Sequence, residues 1–164
     1  MIPKLGFALG TRLQMAWLDP AAPAALQPGR RPRTTLTPSL AHRNGKPYLA
    51  FGTPGGDQQD QMQLVMFCRH IAHGMNLQQA IDCPAFHIEH FPNSFYPRHA
   101  YPKKIVMESR FEEAVIEGLK ARGHSIELGP PWSEGRLAAA GFDPDGSMKA
   151  GANPRNMQGY AVGR

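Results

Sequence analysis

The sequence predicts a mixed α and β fold of the α+β class, packed as one domain over residues 1–164. Three observations carry this. Short β-prone runs and stretches of helical spacing follow one another from residue 34 onward. The 17 glycines and 16 prolines among 164 residues are too much backbone punctuation for a helical bundle. The hydrophobic share of 41% is enough for an ordered core, which sets aside a disordered tail or a collagen-like repeat. A chain of this length buries roughly two-thirds of its unfolded surface and needs no staples.

Residues 1–33 show little regular period. Pro20, Pro23, Pro28 and Pro32 fix φ and remove donors, which predicts an extended segment lying on another surface and burying almost nothing of its own. From about Thr34 to Phe51 the spacing predicts a β-hairpin turned at Asn44-Gly45, a residue pair suited to positive φ. Gly52-Thr53-Pro54-Gly55-Gly56-Asp57 then leads into a helix from Met62 to Ala72, with Asp57 as its N-cap and Gly74 as its stop. Leu64, Cys68 and Ile71 recur at helical spacing, as do Met62, Val65 and Met66, and Cys68 reads as a small buried hydrophobe.

Asn76 caps a second short helix, Leu77 to Ile81, ended by Pro84. A strand near Phe86 to Glu89 precedes a long loop to Tyr101, and Lys104 to Glu108 is a strand. Phe111 to Ala121 is amphipathic, with Ala114, Val115 and Leu119 on one side. Ser125 to Leu128, Arg136 to Phe142 and Met148 to Gly151 read as strands, the last two joined as a hairpin at Asp143-Pro144-Asp145-Gly146.

The net charge of +5 does not imply nucleic acid as a partner. Apart from Arg30, Arg31, Arg33 and Lys103-Lys104 the basic residues are scattered, with no interleaved aromatic platforms. The longest apolar run, Leu64 to Cys68, is far short of the roughly 20 residues of a membrane span. Cys68 and Cys83 build no disulfide framework. The opening residues lack a secretion signal. A soluble, cytoplasmic protein is expected, with no membrane partner.

Glycines between a strand and a helix N-terminus let backbone N–H groups approach a ligand where the helix dipole favours negative charge. Gly55 and Gly56 are so placed. The pair suits three uses: a structural tight turn, a phosphate loop, or a cradle for the oxygen that becomes negative when an acyl group is attacked. No Gly-Lys-Ser/Thr follows, and Asp57 and Asp60 repel polyphosphate, which disfavours the second. Thr34 and Thr35 form a hydroxyl pair after Arg33. They read either as a strand start or as donors to a carboxylate. His70 with His73, and His87 with Glu89, share faces without further ligands at zinc spacing, so neither a metal nor another cofactor is expected.

These residues resemble the C-terminal part of the γ-glutamyltranspeptidase, or glutathione hydrolase, family. The resemblance runs through Pro28-Gly29-Arg30-Arg31-Pro32-Arg33-Thr34-Thr35-Leu36-Thr37-Pro38, Phe51-Gly52-Thr53-Pro54-Gly55-Gly56 and His73-Gly74-Met75-Asn76-Leu77-Gln78-Gln79-Ala80-Ile81. It continues through Arg122-Gly123-His124, Phe142-Asp143-Pro144-Asp145-Gly146, Ala152-Asn153-Pro154-Arg155 and Gly159 to Gly163, in family order from about residue 5.

The resemblance implies part of an N-terminal-nucleophile hydrolase, a four-layer αββα sandwich whose proenzyme cuts itself to expose a threonine. That threonine attacks a γ-glutamyl amide while its own amine serves as base. The resemblance also implies that Gly55 and Gly56 form the oxyanion hole and that Thr34 and Thr35, usually serines, help hold the substrate carboxylate.

Two departures qualify this. The family's nucleophile lies upstream of Leu5, so the expected partner is an upstream segment or subunit bearing it. Around Leu9 to Met15, where the family usually has acidic residues for the substrate amine, this chain has Arg12 and Gln14. The expected activity is therefore hydrolysis or transfer on γ-glutamyl or related acyl amides, with the isolated chain inert and inclined to homo-oligomerise. The rival is a catalytically inert binding or assembly module derived from the same family.

Overall fold

The Asn44-Gly45 turn places both residues at positive φ, 53° and 75°. In the computed structural model, which describes residues 3–8, 10–155 and 159–162, this turn joins β1 (Ser39–Arg43) to β2 (Lys46–Gly52) as an antiparallel hairpin. Leu9 and Gly163, both used in the sequence reading, lie outside the described residues, as do Met1 and Ile2. The hairpin starts at Ser39 rather than Thr34. Pro38 has no N–H for a ladder, and the polar groups of residues 35–39 are taken by side chains of the following helix.

β2 also pairs with β6 (Ala138–Phe142), and β6 with β7 (Met148–Ala152), giving an antiparallel sheet in the order β1-β2-β6-β7. Gly141 sits where a Cβ would lie 2.2 Å from the Tyr48 carbonyl oxygen, so this crossing of β2 and β6 requires glycine. A second sheet has the order β3-β4-β5. Its strands are β3 (Phe86–Ile88), β4 (Lys104–Glu108) antiparallel to it, and β5 (Ser125–Gly129) parallel to β4.

One face of the four-stranded sheet packs against α1 (Gln59–Ile71) and α2 (Leu77–Asp82). Leu49, Met62, Met66, Leu77, Ile81, Leu137 and Ala139 form the larger core there, with Phe51 stacked on Phe67 at 5.6 Å. Asn76 caps α2 through a capping box: its side chain accepts from the Gln79 N–H (2.8 Å) and its own N–H donates to the Gln79 side chain (3.1 Å). The opposite face of the sheet is open. Leu40, Ala50, Ala140 and Ala150 are register partners across all four strands, and all are exposed.

Three expectations are corrected. Cys68 is exposed, because α1 buries Gln59, Met62, Gln63 and Met66, which turns Leu64, Cys68 and Ile71 outward. The third helix, α3 (Glu113–Ala121), buries Ile116 against β4 with Phe111 and Leu119 alongside, whereas Ala114 and Val115 are exposed. Residues 12–17 of the opening segment are pinned more firmly than an extended segment. Arg12–Met15 forms a 3-10 turn, Met15 is fully buried, and Arg98 donates to the carbonyls of Met15 (3.3 Å) and Ala16 (2.7 Å) while covering Trp17.

Candidate active site

Between β2 and α1 the chain turns through Gly55 (φ 140°, ψ 20°) and Gly56 (φ 58°). Side-chain-bearing residues rarely adopt the first conformation at all, so the pair is needed for its backbone freedom. Gly56 opens a 3-10 turn to Gln58, closed by the Gln58 N–H on the Gly55 carbonyl (3.1 Å), and the helix continues from Gln59. Among the described residues the N–H groups of Gly55 and Gly56 meet no protein acceptor. Both glycines line a cavity of about 470 Å³ with the aromatic loop that follows β3. Gly56 also lines an adjoining cavity of about 350 Å³ together with Arg33, Thr34 and Thr35.

The structure thus brings Gly56, Thr34 and Thr35 to one cavity across 22 positions of sequence, and it differentiates the two threonines. The exposed Thr34 uses its hydroxyl locally, accepting from the Leu36 N–H at 3.0 Å. Thr35 is buried, and with the Gln59 amide turned to satisfy its neighbours, Gln59 donates to the carbonyls of Thr35 (3.2 Å) and Thr53 (3.0 Å). Gln63 extends the grip by donating to Thr37 Oγ1 and accepting from Ser39 Oγ, both at 2.7 Å. One buried glutamine therefore ties the threonine segment to the strand end that leads into the glycine turn.

On the other side the turn is clamped to β3 and its loop. Asp57 is not the helix cap the sequence predicts; Gln58 holds that position without a side-chain cap bond. The Asp57 carboxylate instead accepts from Ser94, from its N–H at 2.7 Å and from its Oγ. Gln61 donates to the carbonyls of Asp57 and Ile88 and accepts from the Ile88 N–H at 2.8 Å. Gln58 Nε2 lies 3.0 Å from His87 Nε2, and His87 Nδ1 lies 2.7 Å from a Glu134 carboxylate oxygen. The carboxylate can only accept, so Nδ1 carries the proton and the Nε2 lone pair receives the Gln58 amide hydrogen.

His87 therefore pairs chiefly with Glu134, from the loop before β6; Glu89, suggested as its companion by the sequence, lies 3.7 Å from Nε2. Lys104 bonds Glu89 at 2.8 Å and holds its carboxyl below the ordinary range. The His70 ring is likewise engaged, on Tyr48 Oη and the Met75 carbonyl, both at 2.6 Å. Among the described residues no group of three or more His, Cys, Asp and Glu side chains is disposed to hold a metal ion.

Beneath the site lies a buried ion pair. The Glu108 and Arg155 side chains are both 0% exposed and meet through two bonds, 2.6 and 3.1 Å. Burial pushes the Glu108 carboxyl up, but Arg155 and the N–H groups of Glu134 and Ala85 outweigh it and hold the carboxyl below its ordinary value. The Glu134 N–H bond, 3.1 Å, connects this pair to the His87 partner. Arg12 and Gln14, in the 3-10 turn, do not line the cavity of Thr34 and Thr35; its acidic groups are Asp57 and Asp60.

The arrangement offers unpaired backbone donors at a helix start, next to hydroxyls and a guanidinium, which suits an anionic or developing oxyanionic group. The sequence matches the family described as gamma-glutamyltranspeptidase over residues 1–163. It is 31% identical over 165 residues to the oxamate amidohydrolase proenzyme of Klebsiella pneumoniae subsp. pneumoniae, covering 99% of this chain and 30% of the relative. The solved structure of LmbA2991HD is 56% identical with a TM-score of 0.90, covering 99% of this chain and 29% of that one.

The γ-glutamyltranspeptidase of Pseudomonas nitroreducens complexed with L-DON superposes with a TM-score of 0.75 at 20% identity, covering 99% of this chain and 85% of that chain. That likeness shows the fold, a C-terminal portion of the N-terminal-nucleophile hydrolase sandwich. The chain spans under a third of the curated relative's length. Matched by the family over residues 1–163, the chain belongs to the γ-glutamyltranspeptidase family.

Proposed function

We propose that this chain supplies the oxyanion-binding and substrate-holding half of an amide hydrolase or acyl transferase. In this reading a threonine hydroxyl from an upstream segment or subunit attacks the carbonyl carbon of a γ-glutamyl or related amide. A C–O bond forms, the carbonyl electron pair moves to oxygen, and the Gly55 and Gly56 N–H groups hold the resulting oxyanion. Collapse then breaks the C–N bond, and the amine leaves with the proton taken from the hydroxyl. Thr35, Thr34 and Arg33 hold a carboxylate on the acyl group.

The single observation that carries the reading is that the cavity wall at Gly56, whose N–H meets no protein acceptor among the described residues, is shared with the threonine pair. The Arg33 guanidinium and the Thr34 and Thr35 residues on that wall favour acyl groups that carry a carboxylate. An oxamate-like amide, the substrate class named for the Klebsiella relative, belongs to that set.

The test joins this chain to the complementary segment of the protein 56% identical to it and measures amine release from oxamate and from a γ-glutamyl anilide. The joined protein is expected to turn over at least one of them, the isolated chain neither. Gly56→Val is expected to lower kcat by about 10²- to 10³-fold, the typical cost of one oxyanion donor. No turnover by the joined protein, together with an indifferent Gly56→Val, would overturn the reading. Saturable binding without turnover would leave the chain an assembly module.

A further inference from the structure

We infer that Glu134 and His87 act through Gln58 as positioning residues for the Gly55–Gly56 turn. The inference rests on the reading of that turn as the oxyanion cradle and extends it to three residues that act on the turn, two of which, Gln58 and His87, also line the larger cavity. Two successive glycines at positive φ have no side chains of their own to fix them, whereas an oxyanion cradle works only if its donors are aimed before the reaction. Something must therefore hold the turn.

Gln58 is placed to do so. Its N–H closes on the Gly55 carbonyl, and its Cβ and Oε1 lie 3.6 Å from where a Cβ on Gly55 would stand, so its amide occupies the side of Gly55 that a side chain would fill. Which way that amide faces is decided by His87. Glu134 keeps the proton on Nδ1 (2.7 Å), leaving Nε2 a pure acceptor, so Gln58 must present its nitrogen to the ring (3.0 Å) and its oxygen toward Gly55. Were the proton on Nε2, the amide would have to turn over and offer the glycine turn a donor in place of an acceptor.

The chain of contacts is buried where it matters. His87 is 5% exposed and the Glu134 side chain 12% exposed, while the Glu134 backbone is fixed by Glu108. The neighbouring residues Asp57 and Gln61 bind the 88–94 segment, so the turn, the strand and the loop are tied together.

The experiment uses the full 164-residue chain, with ¹⁵N spectra of the His87 ring and of the Gly55 and Gly56 amides. In the wild type the ring is expected as the Nδ1–H tautomer. Glu134→Ala is expected to mix the tautomers and shift both glycine amides. Glu134→Gln, which still offers an acceptor, keeps the wild-type pattern. In a Gln58→Ala background, Glu134→Ala is expected to alter the ring without moving the glycines further.

In the joined enzyme Glu134→Ala is expected to lower kcat about tenfold, less than the loss of a whole donor, with KM within about twofold. Glycine amides that ignore Glu134→Ala, or that respond equally with and without Gln58, overturn the inference. A joined wild-type enzyme that is inactive counts against the oxyanion reading, and the spectra then decide the positioning chain alone.

Discussion

Arg155→Met tests whether the buried ion pair anchors the site. The substitution preserves most of the side-chain volume but removes both bonds to Glu108 and the donors that meet the carbonyls of Ile81 (3.0 Å) and Cys83 (3.1 Å). Glu108 remains 0% exposed, with only Arg110 Nε at 3.0 Å and the N–H groups of Ala85 and Glu134 as partners. Breaking one side of a buried pair typically costs about 3–5 kcal/mol, roughly a third of the total stability of an ordinary domain.

Urea unfolding at pH 7 measures this as a fall in midpoint at constant m. The sign of the pH dependence is also fixed. In the wild type the depressed Glu108 pKa contributes stability above its ordinary value of 4.5 and loses it as pH falls through the folded value. In the variant, burial no longer opposed by Arg155 raises that pKa, so protonation relieves the orphaned charge and the difference between the proteins narrows toward pH 4. A loss under about 1 kcal/mol at pH 7, or a difference that does not change with pH, would refute the reasoning.

Gly55→Ala is expected to abolish turnover in the joined enzyme although space for a methyl exists, since the nearest atoms lie at 3.6 Å and φ 140° is closed to alanine. Gly56→Ala, at φ 58° with Phe95 at 3.5 Å, costs about 1–2 kcal/mol of stability and retains part of the rate; equal rates for both variants would count against the geometry. Gly141→Ala drives a methyl to 2.2 Å from the Tyr48 carbonyl oxygen and is expected to destabilise by about 3 kcal/mol or more, read by thermal unfolding. The isolated chain is expected to self-associate through the open sheet face, and Leu40→Lys to weaken that association in sedimentation velocity; unchanged association would place the contact elsewhere.

Much of the chain was legible because its signals are local. Asn44-Gly45 dictates the first hairpin, Asn76 and Gln79 build a capping box from residues three apart, and the glycine pair announces its turn by composition alone. The threonine pair and the glycines were legible as candidates, though nothing in their spacing shows that they share a cavity. That proximity depends on Gln59 reaching back to Thr35, a contact 24 positions away.

The glutamines themselves were the missed signal. Gln58, Gln59, Gln61 and Gln63 interrupt what apolar periodicity reads as a hydrophobic helix start, and a polar run beside a glycine turn asks what its amides hold. Hydrophobic spacing also leaves the faces of α1 unranked and puts Cys68 on the wrong one. Leu64, Cys68 and Ile71 form as good a stripe as Met62 and Met66, and periodicity alone cannot rank two stripes on one helix. Burial chose the methionine side because Gln59 and Gln63 on that side satisfy the 35–39 segment, which no apolar stripe can do. The same selection puts the glycine turn between two sets of amide clamps, one to the threonines and one to β3, so that the polar residues at the helix start are those that brace the turn on both sides.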